Sequence, residues 1–209
     1  AHPFDSGAKE VWYWSMLDED RKRLARDPWV QYLAGDNPDY PVEALRAGLS
    51  QVQTNMAAVA ADTASPDTRL SDDMNHINPA KTDVLNQLML GGLPTGRVGS
   101  PLYARLRYFD PERRRAGIPQ DVAALVEELT ADAVTVTLVN LNPVAPRTVV
   151  VQGGGYAEHE IGQVDVAGEV DEVGSSALIV RLKPGCGATL RMTTQRYANQ
   201  PTLAFPWHR

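Results

Sequence analysis

The sequence contains a single cysteine, Cys186, and no long apolar run. One cysteine cannot form an intrachain disulfide, so a disulfide-stapled scaffold is excluded. No stretch approaches the roughly 20 apolar residues that a membrane-spanning helix needs, so no membrane span is predicted. The formal net charge of −6 disfavours non-specific nucleic-acid binding, which depends on Lys and Arg side chains that neutralise phosphates. We therefore expect neither a nucleic acid nor a membrane as partner.

Several common catalytic motifs are also missing. The segment "GGGYAE" at 153–158 has neither the Lys-Ser/Thr ending of a P-loop nor the G-x-G-x-x-G spacing of a dinucleotide site. No Ser-His-Asp order, Cys-x-x-Cys or H-E-x-x-H motif occurs, and the sequence predicts no particular cofactor. Ala1 has no nucleophilic group, which excludes an N-terminal-nucleophile hydrolase that starts at this residue. Because position 1 is not Met, we expect a processed subunit or the tail of a longer polypeptide, completed by a partner polypeptide or a missing N-terminal segment.

The first part of the sequence is typical of helices joined by long connections. Helices are predicted from Lys9 to Ala25, from Pro41 onward, from Pro79 to Leu90, and from Pro119 to about residue 132. Proline suits the first turn of a helix and glycine follows its end, as Gly91 does here. One strand is predicted between Tyr103 and Tyr108.

The helix that starts at Pro41 carries a regular apolar seam. Its large apolar residues step by 3, 4, 3, 4 and 3 positions: Val42, Leu45, Leu49, Val52, Met56 and Val59. That spacing places them on one face, as in a helix that packs along another helix. We expect this face to be buried in a helical bundle or toroid, with Leu49 at its centre; a coiled coil is the alternative.

From residue 133 the apolar period changes from about 3.6 to two. In "AVTVTLVNL", Val134, Val136 and Leu138 alternate with Thr135, Thr137 and Val139. Four further segments of this kind follow, separated by turn sequences such as "NPVAP" and "KPGCG", which predicts an antiparallel β-sandwich. The expected fold is α+β, with a helical region over residues 1–131, which would suit the end of an α/α toroid, and a sandwich over residues 132–209.

The sandwich segments "VTVTLVNLNPVAPRTVVVQ" and "LIVRLKPGCGATLRMTTQRY" are similar to the β-sandwich domains that close many bacterial carbohydrate-active enzymes. In several of those families the sandwich follows an (α/α) toroid. The resemblance covers roughly residues 133–200 and rests on turn chemistry, so it transfers no catalytic residue. It implies a supporting sandwich that packs against a catalytic toroid or a partner chain.

Three groups of residues are candidates for a site. Glu158 and His159 follow the glycines and suit acid–base or metal chemistry, although a charged strand edge that discourages edge-to-edge pairing is the favoured explanation. His76 lies beside Asp72 and Asp73, where helix capping is the alternative explanation. Trp12 and Trp14 could stack on a sugar ring, but at least one aromatic residue of "WYW" should belong to the core.

These observations favour a C-terminal portion or processed subunit of a larger bacterial enzyme. Its substrate would be carbohydrate-like, and the reaction hydrolysis or elimination. A non-catalytic binding or assembly module is the first alternative. A small metalloenzyme that uses His76 and His159 is the second.

Overall fold

The computed structural model describes residues 7–65, 77–93 and 103–208. Helices come first, and two antiparallel sheets follow, which confirms the α+β class. The helices are α1 (Ala8–Ser15), α2 (Asp18–Lys22), α3 (Pro28–Leu33), α4 (Tyr40–Ala61) and α5 (Asp83–Leu90). The strands are β1 (Leu106–Asp110), β2 (Arg115–Ala116), β3 (Val122–Leu129), β4 (Ala133–Asn140), β5 (Arg147–Gly153), β6 (Glu160–Val166), β7 (Glu169–Ser175), β8 (Ala177–Leu182) and β9 (Gly187–Gln195).

Local signals explain where several helices begin and end. The Asp27 carboxylate accepts hydrogen bonds from the backbone N–H groups of Trp29 and Val30 and so caps α3, with Pro28 in the first turn. Gly91 ends α5 in the left-handed conformation, as predicted. The single helix predicted from Lys9 to Ala25 is instead broken into α1 and α2, because Met16 adopts a left-handed backbone conformation.

The two sheets have strand orders β2–β1–β5–β8 and β3–β4–β9–β6–β7. Within β4, Val134, Val136 and Leu138 are completely buried, as their alternation predicts. The segment "QVDVAGEV", expected as one strand, instead contains the turn of a hairpin between β6 and β7. At this turn Ala167 and Gly168 both adopt positive φ angles.

The helix predicted from Pro119 is wrong, because residues 122–129 form β3. Val122, Val126 and Leu129 are spaced by four and three positions, which fits a helical face. In the structure a register shift between Val126 and Glu128 interrupts the pairing with β4, so residues three apart both turn inward. The sheets thus include strands from residue 106 onward, within the region assigned to helices.

The core joins the sandwich to the helices. Trp12, Tyr13, Trp29 and Val30 belong to the same buried apolar cluster as the inward side chains of β3 and β4. No described helix is long and apolar enough to cross a membrane. Helix α1 lies beside the end of β9, where its Trp14 stacks on Tyr197.

Candidate functional site

The three-glycine segment connects strands of different sheets. Gly153 ends β5 and the next strand, β6, begins at Glu160 in the other sheet. The Gly154 N–H donates to the Arg105 carbonyl at 2.8 Å, and the His159 N–H donates to the Gly153 carbonyl at 3.3 Å. The segment is therefore a turn, as predicted, but one that crosses between sheets.

The glycines also make room for the two residues that follow the turn. A Cβ on Gly153 would lie 2.7 Å from the His159 carbonyl oxygen. A Cβ on Gly154 would overlap the Glu158 carboxylate, and the φ angle of +82° there is itself unfavourable for other residues. The glycines thus let Glu158 and His159 fold back against the turn.

Glu158 and His159 are buried in the loop before β6, rather than displayed on a charged strand edge. The Glu158 carboxylate accepts the Tyr156 N–H at 2.7 Å. The imidazole of His159 accepts the Tyr197 N–H at Nδ1, 3.2 Å away, and meets the Tyr197 ring edge to face. Both side chains are held in place by neighbouring backbone groups.

Burial, together with the positive charges of Arg105 and Arg196, lowers the pKa of His159 from its ordinary value of 6.5 to about 4. The nearby Glu158 backbone carbonyl opposes this shift. The ring is therefore neutral near pH 7. Because Nδ1 accepts a hydrogen bond, the ring proton lies on Nε2, which makes that nitrogen a donor.

Arg105 lies just before β1 and is 3% exposed. Its Nη2 donates to the Thr130 carbonyl at 2.9 Å and to the Thr194 hydroxyl at 3.3 Å, and both of these acceptors are neutral. Among the described residues, Nε and Nη1 of Arg105 are the buried side-chain atoms without a hydrogen-bond partner. Burial lowers the Arg105 pKa to about 10, with Arg196 contributing, so the group still carries its charge at neutral pH.

Arg196 has a different environment. Its guanidinium donates to the backbone carbonyls of Tyr13, Trp14 and Ser15 in the last turn of α1. A cation at this position satisfies carbonyls that have no partner within the helix. Arg196 therefore fixes α1 against the end of β9, while its charge stays close to Arg105 and His159.

These residues enclose one pocket of about 260 Å³ between α1 and the end of the sandwich. Trp14 stacks on Tyr197, with ring centroids 5.6 Å apart, and meets the edge of Tyr103 at 6.1 Å. The pocket lining is completed by charged, aromatic and small apolar neighbours: Tyr13, Ala104, Arg105, Tyr156, Glu158, His159, Arg196 and Pro201. An aromatic wall thus faces two arginines, one glutamate and one neutral histidine.

The structure brings together three of the five residues chosen from the sequence. Trp14, Glu158 and His159 all line this pocket. Trp12 does not, because it is 3% exposed and belongs to the core cluster. The fifth candidate, His76, lies outside the described residues.

Arg105 and Tyr197 were missed from the sequence. The signal for Arg105 was an arginine next to the apolar residues of "YARLRYF", in a segment already predicted to be a strand. No such signal marks Tyr197, whose role depends on the contact between α1 and the end of β9. Within the described ranges, no group of three His, Cys, Asp or Glu residues could hold a metal ion.

Comparison with known families gives a match for the helical part of the chain. Residues 8–86 match a family described as "Domain of unknown function (DUF8034)". Neither a curated protein nor a solved structure matches the chain. The match covers the helical part up to α5 and leaves the sheets outside it, and the resemblance to carbohydrate-active enzymes stays a prediction.

Proposed function

We propose that this chain binds a small acidic ligand in the pocket between α1 and the sandwich, with a carboxylate near Arg105. Arg105 is the observation that carries this proposal. A buried guanidinium without a carboxylate partner loses hydration, and two of its nitrogens have no acceptor. An anion in the pocket would supply the negative charge that the two neutral acceptors of Arg105 do not provide.

The charge balance of the pocket agrees with this ligand. Arg105 and Arg196 contribute two positive charges, Glu158 contributes one negative charge, and His159 is neutral near pH 7. Arg196 already donates hydrogen bonds to backbone carbonyls of α1, so Arg105 is the better placed of the two arginines to interact with a ligand. Among the residues that line the pocket one positive charge remains, and Asp132, outside the lining, offsets part of it; this balance favours a singly charged acid.

The aromatic residues support a flat body attached to the acid. Trp14 is 55% exposed although it stacks on Tyr197, so its ring offers a surface to a ligand. Sugar rings present apolar C–H faces that stack on such side chains. An acidic sugar therefore combines the carboxylate with the carbohydrate-like body expected from the sequence.

The geometry favours binding over catalysis by His159. A general base needs a free lone pair within reach of the proton it removes. The Nδ1 lone pair of His159 accepts the Tyr197 N–H, and Nε2 carries the proton. We therefore assign His159 the role of a hydrogen-bond donor; hydrolysis or elimination by a larger enzyme that contains this chain remains a prediction.

Titration calorimetry with D-glucuronate tests the proposal, with D-glucose as the neutral control. Glucuronate should bind more tightly than glucose. Arg105→Gln should weaken glucuronate binding about 10- to 100-fold, which corresponds to one charge-assisted hydrogen bond. Arg181→Gln is the matched control. Arg181 lies on β8, is exposed and does not line the pocket, so removing its charge should have no effect on binding.

Two results would contradict the proposal. One is equal binding, or no binding, of glucuronate and glucose by the unaltered protein. The other is an Arg105→Gln variant that melts normally and binds glucuronate as tightly as the Arg181→Gln variant does.

A further inference from the structure

A second cavity adjoins the pocket on the other side of Tyr156. Its volume is about 440 Å³, and Tyr156 lines both cavities. Aliphatic side chains from three parts of the fold form its walls: Leu85, Met89 and Leu90 from α5, Ile118 from the loop before β3, and Leu203 near the C-terminus. These two cavities therefore meet at one tyrosine.

The backbone around Tyr156 is held on both sides. Its N–H donates to the Glu158 carboxylate at 2.7 Å, and its carbonyl accepts the Thr202 N–H at 2.8 Å. Arg107 donates from Nη1 to the Gly155 carbonyl at 2.8 Å. The boundary between the cavities thus has a defined position, with the segment that leads to Leu203 tied beside it.

The two cavities differ in chemistry. The first contains Arg105, two of whose nitrogens lack an acceptor. The arginine of the second, Arg107, donates to the Gly155 carbonyl, and its guanidinium carbon lies 5.1 Å from the centre of the Phe109 ring. Leu203 is 79% exposed and Leu85 is 44% exposed, so apolar surface is open to a ligand there. The first cavity suits an acid, and the aliphatic part of the second, which lies beside Thr82 and Asn86, suits hydrocarbon.

We infer that the ligand is amphiphilic: an acid whose carboxylate lies near Arg105 and whose apolar arm passes Tyr156 into the second cavity. This inference rests on the proposed acid site and adds the nature of the group attached to it. An acidic sugar that carries an alkyl or aryl substituent has both parts. A simple sugar acid would fill only the first cavity.

The test compares D-glucuronate with octyl β-D-glucuronide by titration calorimetry. The octyl compound should bind at least about 10-fold more tightly, because several of its methylene groups leave water. Leu203→Asp places a charge at the exposed wall of the second cavity and should abolish this gain while leaving glucuronate binding unchanged. Leu141→Asp, at a leucine that is 66% exposed and outside both cavities, is the matched control.

The outcomes separate the two proposals. If both compounds bind equally well, or if the octyl gain survives Leu203→Asp, the second cavity does not hold the arm and the inference is overturned. If neither compound binds, the acid site itself is wrong. Both proposals are supported by two results together. The tighter binding of the octyl compound is lost in Leu203→Asp but kept in Leu141→Asp, and Arg105→Gln weakens the binding of both compounds by the same factor.

Discussion

Helix α4 and strand β4 both carry a regular apolar pattern, yet they bury it to very different extents. Leu138 of β4 is 0% exposed, whereas Leu49 of α4 is 59% exposed. Val42, Leu45, Met56 and Val59 are exposed as well, so the prediction that this seam is buried within the chain is wrong. An apolar pattern defines which residues share a face, but it does not supply the neighbour that covers the face.

The reason lies in which side of α4 faces the fold. Gly48 packs against Val84 of α5, where an added Cβ would lie 3.3 Å from a Val84 methyl group. Asn55 is buried and donates from its side-chain amide to the Asn78 carbonyl. Small and polar residues thus form the contact, and the larger apolar residues turn outward. That a partner polypeptide covers them stays a prediction.

The largest effect is expected in the sandwich. Leu138→Ala should destabilise the protein by about 2–5 kcal/mol, because it leaves a cavity in a fully packed core. Urea unfolding measures this loss. A loss below about 1 kcal/mol would mean that the sandwich is no better packed than α4.

The turn that positions the site should be almost as sensitive. Gly154→Ala should cost about 2–4 kcal/mol, since it combines a left-handed backbone with displacement of the Glu158 carboxylate. Gly168→Ala is the matched control: its φ of +88° is similar, but a Cβ there meets nothing within 4 Å. Equal losses in the two variants, measured by urea unfolding, would show that the turn does not depend on Glu158.

The pH dependence of stability should reveal the buried His159. Its folded pKa of about 4 lies below the ordinary value of 6.5, so the unfolded chain binds the proton first as pH falls. The free energy of unfolding is therefore not reduced by His159 above about pH 6.5. Between pH 7 and pH 5 it should decrease by about 2 kcal/mol because of this residue. His159→Gln should lose that part of the pH dependence in urea unfolding, and a wild-type-like dependence in the variant would contradict the assignment.

The smallest effect is expected in α4. Leu49→Ala should cost less than about 0.5 kcal/mol in the isolated chain, because the side chain is already exposed to water. The measurement is urea unfolding at two protein concentrations, with Leu138→Ala as the buried counterpart. A loss that is larger and grows with protein concentration would instead show that a second chain covers the seam.

Much of the β-sandwich could be predicted from the sequence. The alternation in "AVTVTLVNL" and the turn residues between segments correctly indicate β4, β5, β8 and β9, because alternation and turn chemistry are local properties. The hairpin of β6 and β7 was expected as one strand. Strand β3 could not be predicted in this way. Its apolar spacing fits a helix, and only pairing with β4 and the local register shift made it a strand.

The candidate site also has features that the sequence predicts and features that depend on the tertiary structure. The sequence by itself indicated a turn at the three glycines, with Glu158 and His159 after it, because chain order and backbone freedom follow from residue type. In the structure Gly153 ends β5, and of the three glycines only Gly154 has a positive φ. Tertiary structure alone decided that Trp14 joins them, that Trp12 is core, and that Arg105 lies in the same pocket. These depend on how α1 packs on the sandwich, because burial and missing partners are properties of neighbours distant in sequence.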